Sequence, residues 1–253
     1  MDLGLRGRTA VVGASTDGLG LATARALAEE GVRVCITGRE QGRVSAAIEA
    51  IRSEVPGARV DGIPVDLSTV EGARSLVAAA GARLGPVDIV VANVGGPPPG
   101  PAHSTEFAKL EAALDRCLLA MIALCQGFLP GMRERRWGRI LAITSGGVRA
   151  PLPNMVYSNT SRAGLTAYLK TLAREVIVDG VTVNSILPSN QVTKRLESLV
   201  GAGMDGYLAG LPARRGGAPS DFGKVAAFLC SEPANYLTGV ALSVDGGTDP
   251  GLV

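Results

Sequence analysis

Apolar runs of strand length recur along the chain, each followed by a stretch with helical spacing. Thr9–Val12, Val32–Thr37, Arg59–Val65, Val87–Ala92, Arg139–Thr144, Val181–Leu187 and Ala241–Val244 read as strands. Most are unbroken in Val, Ile and Leu, which predicts strands covered on both sides rather than strands with one wet face. Between them, Leu19–Glu30, Arg43–Glu54 and Val70–Leu84 repeat apolar residues at helical spacing. Glu29-Glu30-Gly31 and Val178-Asp179-Gly180 read as helix ends closed by glycine. This alternation predicts an α/β fold, a doubly wound seven-stranded parallel sheet with helices on both faces. No linker, repeat or low-complexity tract interrupts it, so residues 1–253 are expected to form one domain. Ligands of such sheets bind outside the carboxyl ends of the strands, so the turns after strands are where chemistry is expected.

Composition narrows the classes of partner. A hydrophobic content of 46% against 19% charged residues fits a buried core and argues against disorder. The net charge of +2, with Lys and Arg scattered, argues against a nucleic-acid or membrane-surface role. The first eight residues lack a signal-peptide core, and the apolar run Cys117 to Cys125 is too short to span a bilayer. Cys35, Cys117, Cys125 and Cys230 show no close pairing, which suits free thiols in a reducing cytoplasm. His103, the only histidine, follows a Pro/Gly loop and is expected to be exposed. No His-rich metal site can be built, and a Ser-His-Asp triad is disfavoured.

The first strand runs into Gly13-Ala14-Ser15-Thr16-Asp17-Gly18-Leu19-Gly20 and then a helix. Strand, glycine-rich turn and helix N-terminus suit a pyrophosphate: glycine lets the backbone approach, and unpaired N–H groups face the anion. Later turns carry Gly38-Arg39, Asp66-Leu67, Asn93-Val94-Gly95 and Pro188-Ser189 with Thr193 beyond. Gly95-Gly96-Pro97-Pro98-Pro99-Gly100-Pro101 is the stiffest loop, placed to form one wall of a pocket. Further on stand Ser145, then Tyr157-Ser158-Asn159-Thr160-Ser161-Arg162-Ala163-Gly164.

Together these features resemble the short-chain dehydrogenase/reductase family across nearly the whole chain, including the tail Arg214-Arg215-Gly216 to Val244-Asp245-Gly246-Gly247. The family's glycine pattern fits Gly18 and Gly20, while Gly13 is one residue early and Ala14 takes the expected place. The resemblance implies that Gly13, Ser15, Thr16, Asp17, Gly18, Leu19, Arg39, Asp66, Leu67, Asn93, Gly95, Pro188 and Thr193 bind the cofactor. Arg39 ends the second strand where an arginine reads a 2′-phosphate, which favours NADP, with NAD possible; Asp17 argues the other way. The tail implies a homotetramer or homodimer by analogy.

The family's catalytic set is Ser, Tyr and Lys, with an Asn on a preceding helix. Ser145 matches the Ser. In the ungapped register Ser158 stands for Tyr, Arg162 for Lys and Cys117 for Asn. A second register, needing a deletion and an insertion, keeps Tyr157 as the phenol and puts Ser161 in the cation's place. The ungapped register is preferred, and Tyr157, roughly 100° round the helix from Ser158, is then a core aromatic unless the helix start is irregular. The Ser-Asn-x-x-Arg set with the Gly/Pro loop resembles a divergent bacterial branch of proteins like 3-oxoacyl-acyl-carrier-protein reductases. The resemblance implies an NAD(P)-dependent oxidoreductase that interconverts a carbonyl and a secondary alcohol of a small-molecule substrate. Because the phenol is missing, two alternatives stay open: a lyase, dehydratase or isomerase on the same scaffold, and a dinucleotide-binding pseudoenzyme.

Overall fold

Seven strands lie in the order β3-β2-β1-β4-β5-β6-β7, and every neighbouring pair is parallel. The structure, a computed structural model, describes residues 1–251. The strands are β1 (Thr9–Val12), β2 (Arg33–Gly38), β3 (Val60–Pro64), β4 (Ile89–Ala92), β5 (Gly138–Ile143), β6 (Val181–Pro188) and β7 (Ala241–Val244). The expected α/β fold is the one that forms, and strand ends shift by one or two residues, the usual blur of hydrogen-bond definitions.

The unbroken apolar runs follow from two cores, one on each face. Along a strand, successive side chains point to opposite sides. Val11, Val90 and Ile140 meet α3 (Val70–Leu84), α5 (Ala120–Glu134) and α6 (Val156–Val176) through Leu76, Leu124 and Leu165. Their neighbours Val12, Val91 and Leu141 face α1 (Gly18–Glu29), α2 (Gln41–Glu54) and α9 (Pro219–Leu229) through Leu27, Ile51 and Phe222. A polar residue at either position would strand its hydrogen-bonding groups in a dry layer.

Chain ends of helices close as the glycines predict. Gly31 and Gly180 take positive φ, 78° and 74°, the left-handed geometry that only glycine adopts without cost. The helical stretch Phe107–Glu134 is apolar and long enough, by length and composition alone, to cross a membrane. Here it is divided into α4 (Phe107–Leu114), a π-helical turn at Asp115–Leu119, and α5, and it buries Cys117, Met121, Leu124 and Phe128 in the core. All four cysteines are buried free thiols, and His103 is exposed. The strand order reverses between β1 and β4, which opens a crevice at their carboxyl ends. Short α7 (Lys194–Val200) and α8 (Met204–Ala209) follow β6 on that side.

Candidate active site

The glycine-rich turn leaves β1 after Val12 and enters α1 at Gly18. Ala14 itself takes the left-handed conformation, φ 41°, that the turn demands at this place. A side chain at Gly13 would run into the Asn93 carbonyl at 2.3 Å, and one at Gly20 into the Ala14 carbonyl at 2.4 Å. The turn is therefore packed tightly behind. In front it is open, since the only neighbour of a side chain at Gly18 would be the Thr193 methyl, 3.8 Å away. Among the described residues no acceptor meets the N–H of Leu19 or Gly20. Free N–H groups, a helix N-terminus and a bare glycine face are what a pyrophosphate needs, so the residues present fit a dinucleotide.

Several residues implied as ligands brace this turn. The Ser15 hydroxyl donates to Val12 O at 2.7 Å and accepts from the Thr37 N–H at 2.9 Å, so it is spent inside the protein. The Asn93 amide donates to the carbonyls of Gly13 and Ala14, at 3.0 and 3.3 Å, and ties β4 to the turn. The Leu67 side chain belongs to the core, although the residue borders the cleft. Asp17 caps α1 by accepting from the Gly18 N–H at 2.8 Å. Its charge is compensated: Lys194 lies 2.8 Å away and Arg43 3.6 Å. The hydrogen bond from Lys194 holds the Asp17 carboxyl below the usual carboxylate range, against an opposing push from burial. Asp17 therefore repels an incoming phosphate less than its charge suggests.

Beyond the turn lies a cleft of about 360 Å³ lined by Thr16, Arg39, Glu40, Arg43, Asp66 and Arg116, with Gly95 and Gly96 at its edge. Arg43 and Arg116 are additions the sequence reading missed. Arg43 opens α2, four residues after Arg39, a spacing that could have flagged it; Arg116 is delivered by the π-helical turn, which left no sequence signal. Glu40, the residue after Arg39, puts an acid beside it in the same cleft. Asp66 accepts from the Ser68 N–H at 3.0 Å. Burial pushes its carboxyl up, but Ser68 together with Arg39 and Arg116 outweighs that and holds it below the ordinary value.

At the far end the two candidate registers separate. Tyr157 is 1% exposed, its ring lies under Gly100, and its phenol oxygen accepts from the Glu106 N–H at 3.1 Å. A side chain on Gly100 would lie 2.3 Å from that ring, so glycine is required for the Gly/Pro loop to dock on α6. Two backbone bonds complete the dock, Gly100 N–H to Asn154 O at 2.8 Å and Val156 N–H to Gly100 O at 3.1 Å. Tyr157 is thus a core aromatic, and its place among the catalytic candidates is corrected. Ser161 likewise spends its hydroxyl on Tyr157 O.

Ser158 and Arg162 lie one turn apart on α6, 5% and 7% exposed. The Arg162 guanidinium donates to the carbonyls of Ile143 (2.7 Å), Thr144 (3.1 Å) and Val94 (3.4 Å). It bridges the carboxyl ends of β5 and β4 and fixes the strand that delivers Ser145. Burial pulls its pKa down, Cys117 pushes back, and the charge of Arg195 adds to the lowering. Ser145 begins a short 3-10 turn at Gly146–Val148 and accepts from the Gly147 N–H at 3.1 Å. A side chain at Gly147 would meet both Asn159 Oδ1 (2.4 Å) and Ser145 Oγ (3.4 Å), so this turn seats Ser145 against the first turn of α6. Asn159 is turned to Leu152, accepting from its N–H and donating to its carbonyl, and anchors the loop before α6. On the opposite side a side chain at Gly146 would lie 3.5 Å from Ser189, next to Pro188. Thr193 caps α7, accepting from the Leu196 N–H at 3.4 Å.

Comparison with known proteins gives one answer. A family model described as enoyl-(acyl carrier protein) reductase matches residues 13–249. Dehydrogenase/reductase SDR family member 4 from Sus scrofa is 33% identical over 250 residues, spanning 96% of this chain and 88% of the relative. The 3-oxoacyl-[acyl-carrier-protein] reductase FabG of Aquifex aeolicus is 32% identical over 248 residues, spanning 98% and 99%. The crystal structure of L-sorbose reductase from Gluconobacter frateurii, complexed with NADPH and L-sorbose, is similar over 100% of both chains, with TM-score 0.93 and 32% identity. With likeness of this extent in both sequence and fold, the chain belongs to the short-chain dehydrogenase/reductase family and is an oxidoreductase of that family.

Proposed function

We propose that the protein is an NADP(H)-dependent oxidoreductase that interconverts a carbonyl and a secondary alcohol, using Ser145, Ser158 and Arg162. One observation carries the reading: a buried guanidinium, without a carboxylate partner among the described residues, stands one helical turn from Ser158 and on the backbone that delivers Ser145. A cation kept dry at that point has a use if negative charge develops beside it.

The N–H groups at the start of α1 would hold the pyrophosphate, Arg39 with Arg43 and Arg116 the 2′-phosphate side, and Pro188 and Thr193 the nicotinamide side. When bound, the cofactor supplies or accepts a hydride. The Ser145 and Ser158 hydroxyls hold the reacting oxygen by hydrogen bonds. Arg162 lends a fixed positive field to that oxygen, and because guanidinium keeps its protons it does not relay one. Neither serine has an acid strength suited to proton delivery, so the proton comes from water entering the open cleft. Large apolar side chains left outside, Phe107 at 75% and Tyr236 at 99% exposure, fit a homo-oligomer in which a second copy covers them.

Two measurements test the reading. Calorimetric titration should give tighter binding of NADP than of NAD, and Arg39→Ala should reduce that preference by about 1–3 kcal/mol, the scale of a charged hydrogen bond. NADPH oxidation with a panel of ketones should be detectable but slow, and lost on Arg162→Met. Preference for NAD overturns the cofactor assignment. Cofactor binding without any turnover makes the chain a dinucleotide-binding protein that has left redox chemistry.

A further inference from the structure

A second guanidinium lies against the Gly/Pro loop that leaves β4. Arg195, the second residue of α7, donates through Nη2 to Pro97 O at 2.8 Å. Its guanidinium atoms lie 3.5–3.8 Å from the place a side chain on Gly96 would occupy. Three residues upstream of Pro97, the Val94 carbonyl takes Arg162. One short stretch of backbone leaving β4 therefore carries two arginines reaching it from different helices, α6 and α7.

Neither has an acidic partner among the described residues, whereas the adjacent Lys194 is paired with Asp17. Arg195 is exposed and spends one donor on a carbonyl, which leaves most of its planar fork free. Like charges so placed repel: burial is the main cause that lowers the pKa of Arg162, and the charge of Arg195 adds a smaller part. An anion arriving at the cleft relieves that repulsion. Under the proposed function the cofactor's phosphates take the α1 turn and the cleft beside Arg39, Arg43 and Arg116, which leaves the second cation for the other ligand.

Resting on the oxidoreductase reading above, we infer that the substrate is a carboxylic acid bearing the reactive ketone or secondary alcohol, with its carboxylate received by Arg195. A guanidinium fork matches the two oxygens of a carboxylate in one plane. A phosphate dianion would call for more donors than this one fork leaves free.

The test is calorimetry on the NADP-saturated protein with 2-, 3- and 4-oxo acids, each beside its methyl ester and a keto phosphate of equal length. At least one acid should bind about tenfold or more tightly than its ester, the scale of a charge-assisted pair. In Arg195→Gln that gap should fall below about threefold, and Arg195→Lys should restore part of it, since a point charge replaces a fork. Affinity for NADP itself should stay within about twofold in Arg195→Gln, because the cofactor's phosphates are held elsewhere. Equal binding of acid and ester, no binding of any acid, a gap that survives Arg195→Gln, or a stronger keto phosphate overturns the inference. A fall in NADP affinity on Arg195→Gln also overturns it, by assigning the cation to the cofactor. Acid-selective binding without NADPH oxidation would sink the redox reading and leave the recognition standing, while turnover of neutral ketones with no preference for acids would do the reverse.

Discussion

Tyr157→Phe separates the two readings of α6 by magnitude alone. The substitution removes one oxygen and leaves the ring in place under Gly100. What the protein loses is the hydrogen bond from the Glu106 N–H. Glu106 stands just before α4, where its own side chain makes no capping bond, so the phenol supplies the acceptor at that helix start. Glu106 is exposed, and water can reach the freed N–H. The cost is therefore that of a single neutral bond with partial replacement, about 0.5–1.5 kcal/mol. For a chain of this size it corresponds to a fall of roughly 1–6 °C in Tm.

The rate tells the rest. If Tyr157 only holds the Gly/Pro loop and α4, NADPH oxidation with an accepted ketone should change less than about threefold, well short of any general-acid contribution. If the phenol were the proton donor, its loss would cost about 10²–10⁴-fold in kcat with little effect on stability. Urea melts and initial rates on the same preparations give both numbers. A hundredfold loss of rate with an unchanged melt would refute the placement of Tyr157 in the core of the working enzyme, and ordinary phenol chemistry would return.

Two further outcomes follow from burial and backbone geometry. Burial, aided at Cys35 by Asp61, pushes the thiols of Cys35, Cys125 and Cys230 up to about 12 from 9.0, so the folded chain keeps them neutral where the unfolded chain ionises them. That stabilisation is complete below the unfolded value and is lost as pH rises toward the folded one. From about pH 8 to about pH 10 the loss reaches roughly 1.4 kcal/mol per thiol, or about 4 kcal/mol for the three as an upper bound. Urea midpoints should thus fall more steeply with pH in the parent than in a variant with all three replaced by alanine; equal slopes would count against it. At Ala14, φ 41° costs a side chain about 1–2 kcal/mol, and the freedom of an unfolded glycine returns roughly 0.4–1 kcal/mol of that. Ala14→Gly should therefore stabilise by up to about 1.6 kcal/mol, and a clear destabilisation in the urea melt would show that the turn is not strained there.

The sheet was legible because burial on both faces leaves a mark that needs no partner to read. Runs such as Val181–Leu187 are apolar at nearly every position, and only a strand between two cores requires that. The ligand end was legible for a different reason: glycine at positions 18 and 20 is demanded by backbone geometry, and Arg39 follows its strand directly. What stayed hidden depends on contacts between distant segments. Nothing local distinguishes a Ser15 hydroxyl aimed at a phosphate from one donating to Val12, because Thr37 decides it across the sheet. Arg116 reaches the cleft through a π-helical turn, and Arg195 through the loop that lays α7 over Pro97. The compensation of Asp17 by Lys194 spans 177 positions and could not be read from either residue alone.

Ser158 and Arg162 make sense as a pair and poorly one at a time. A serine in place of a phenol leaves space and removes the acid. A guanidinium in place of an ammonium needs that much more room and more acceptors, and it finds them in three strand-end carbonyls. Lysine at this position could not bridge β5 and β4 with a planar fork, so under the proposed function a rigid electrostatic support stands where a mobile proton carrier would be. A buried cation compensated only by carbonyl dipoles is costly to the apo protein and becomes favourable when a negative oxygen forms nearby. The same reasoning ties Arg162 to Arg195. One cation without a counter-ion can be held by dipoles; a second, three residues along the same backbone, implies that the missing negative charge arrives with the ligand.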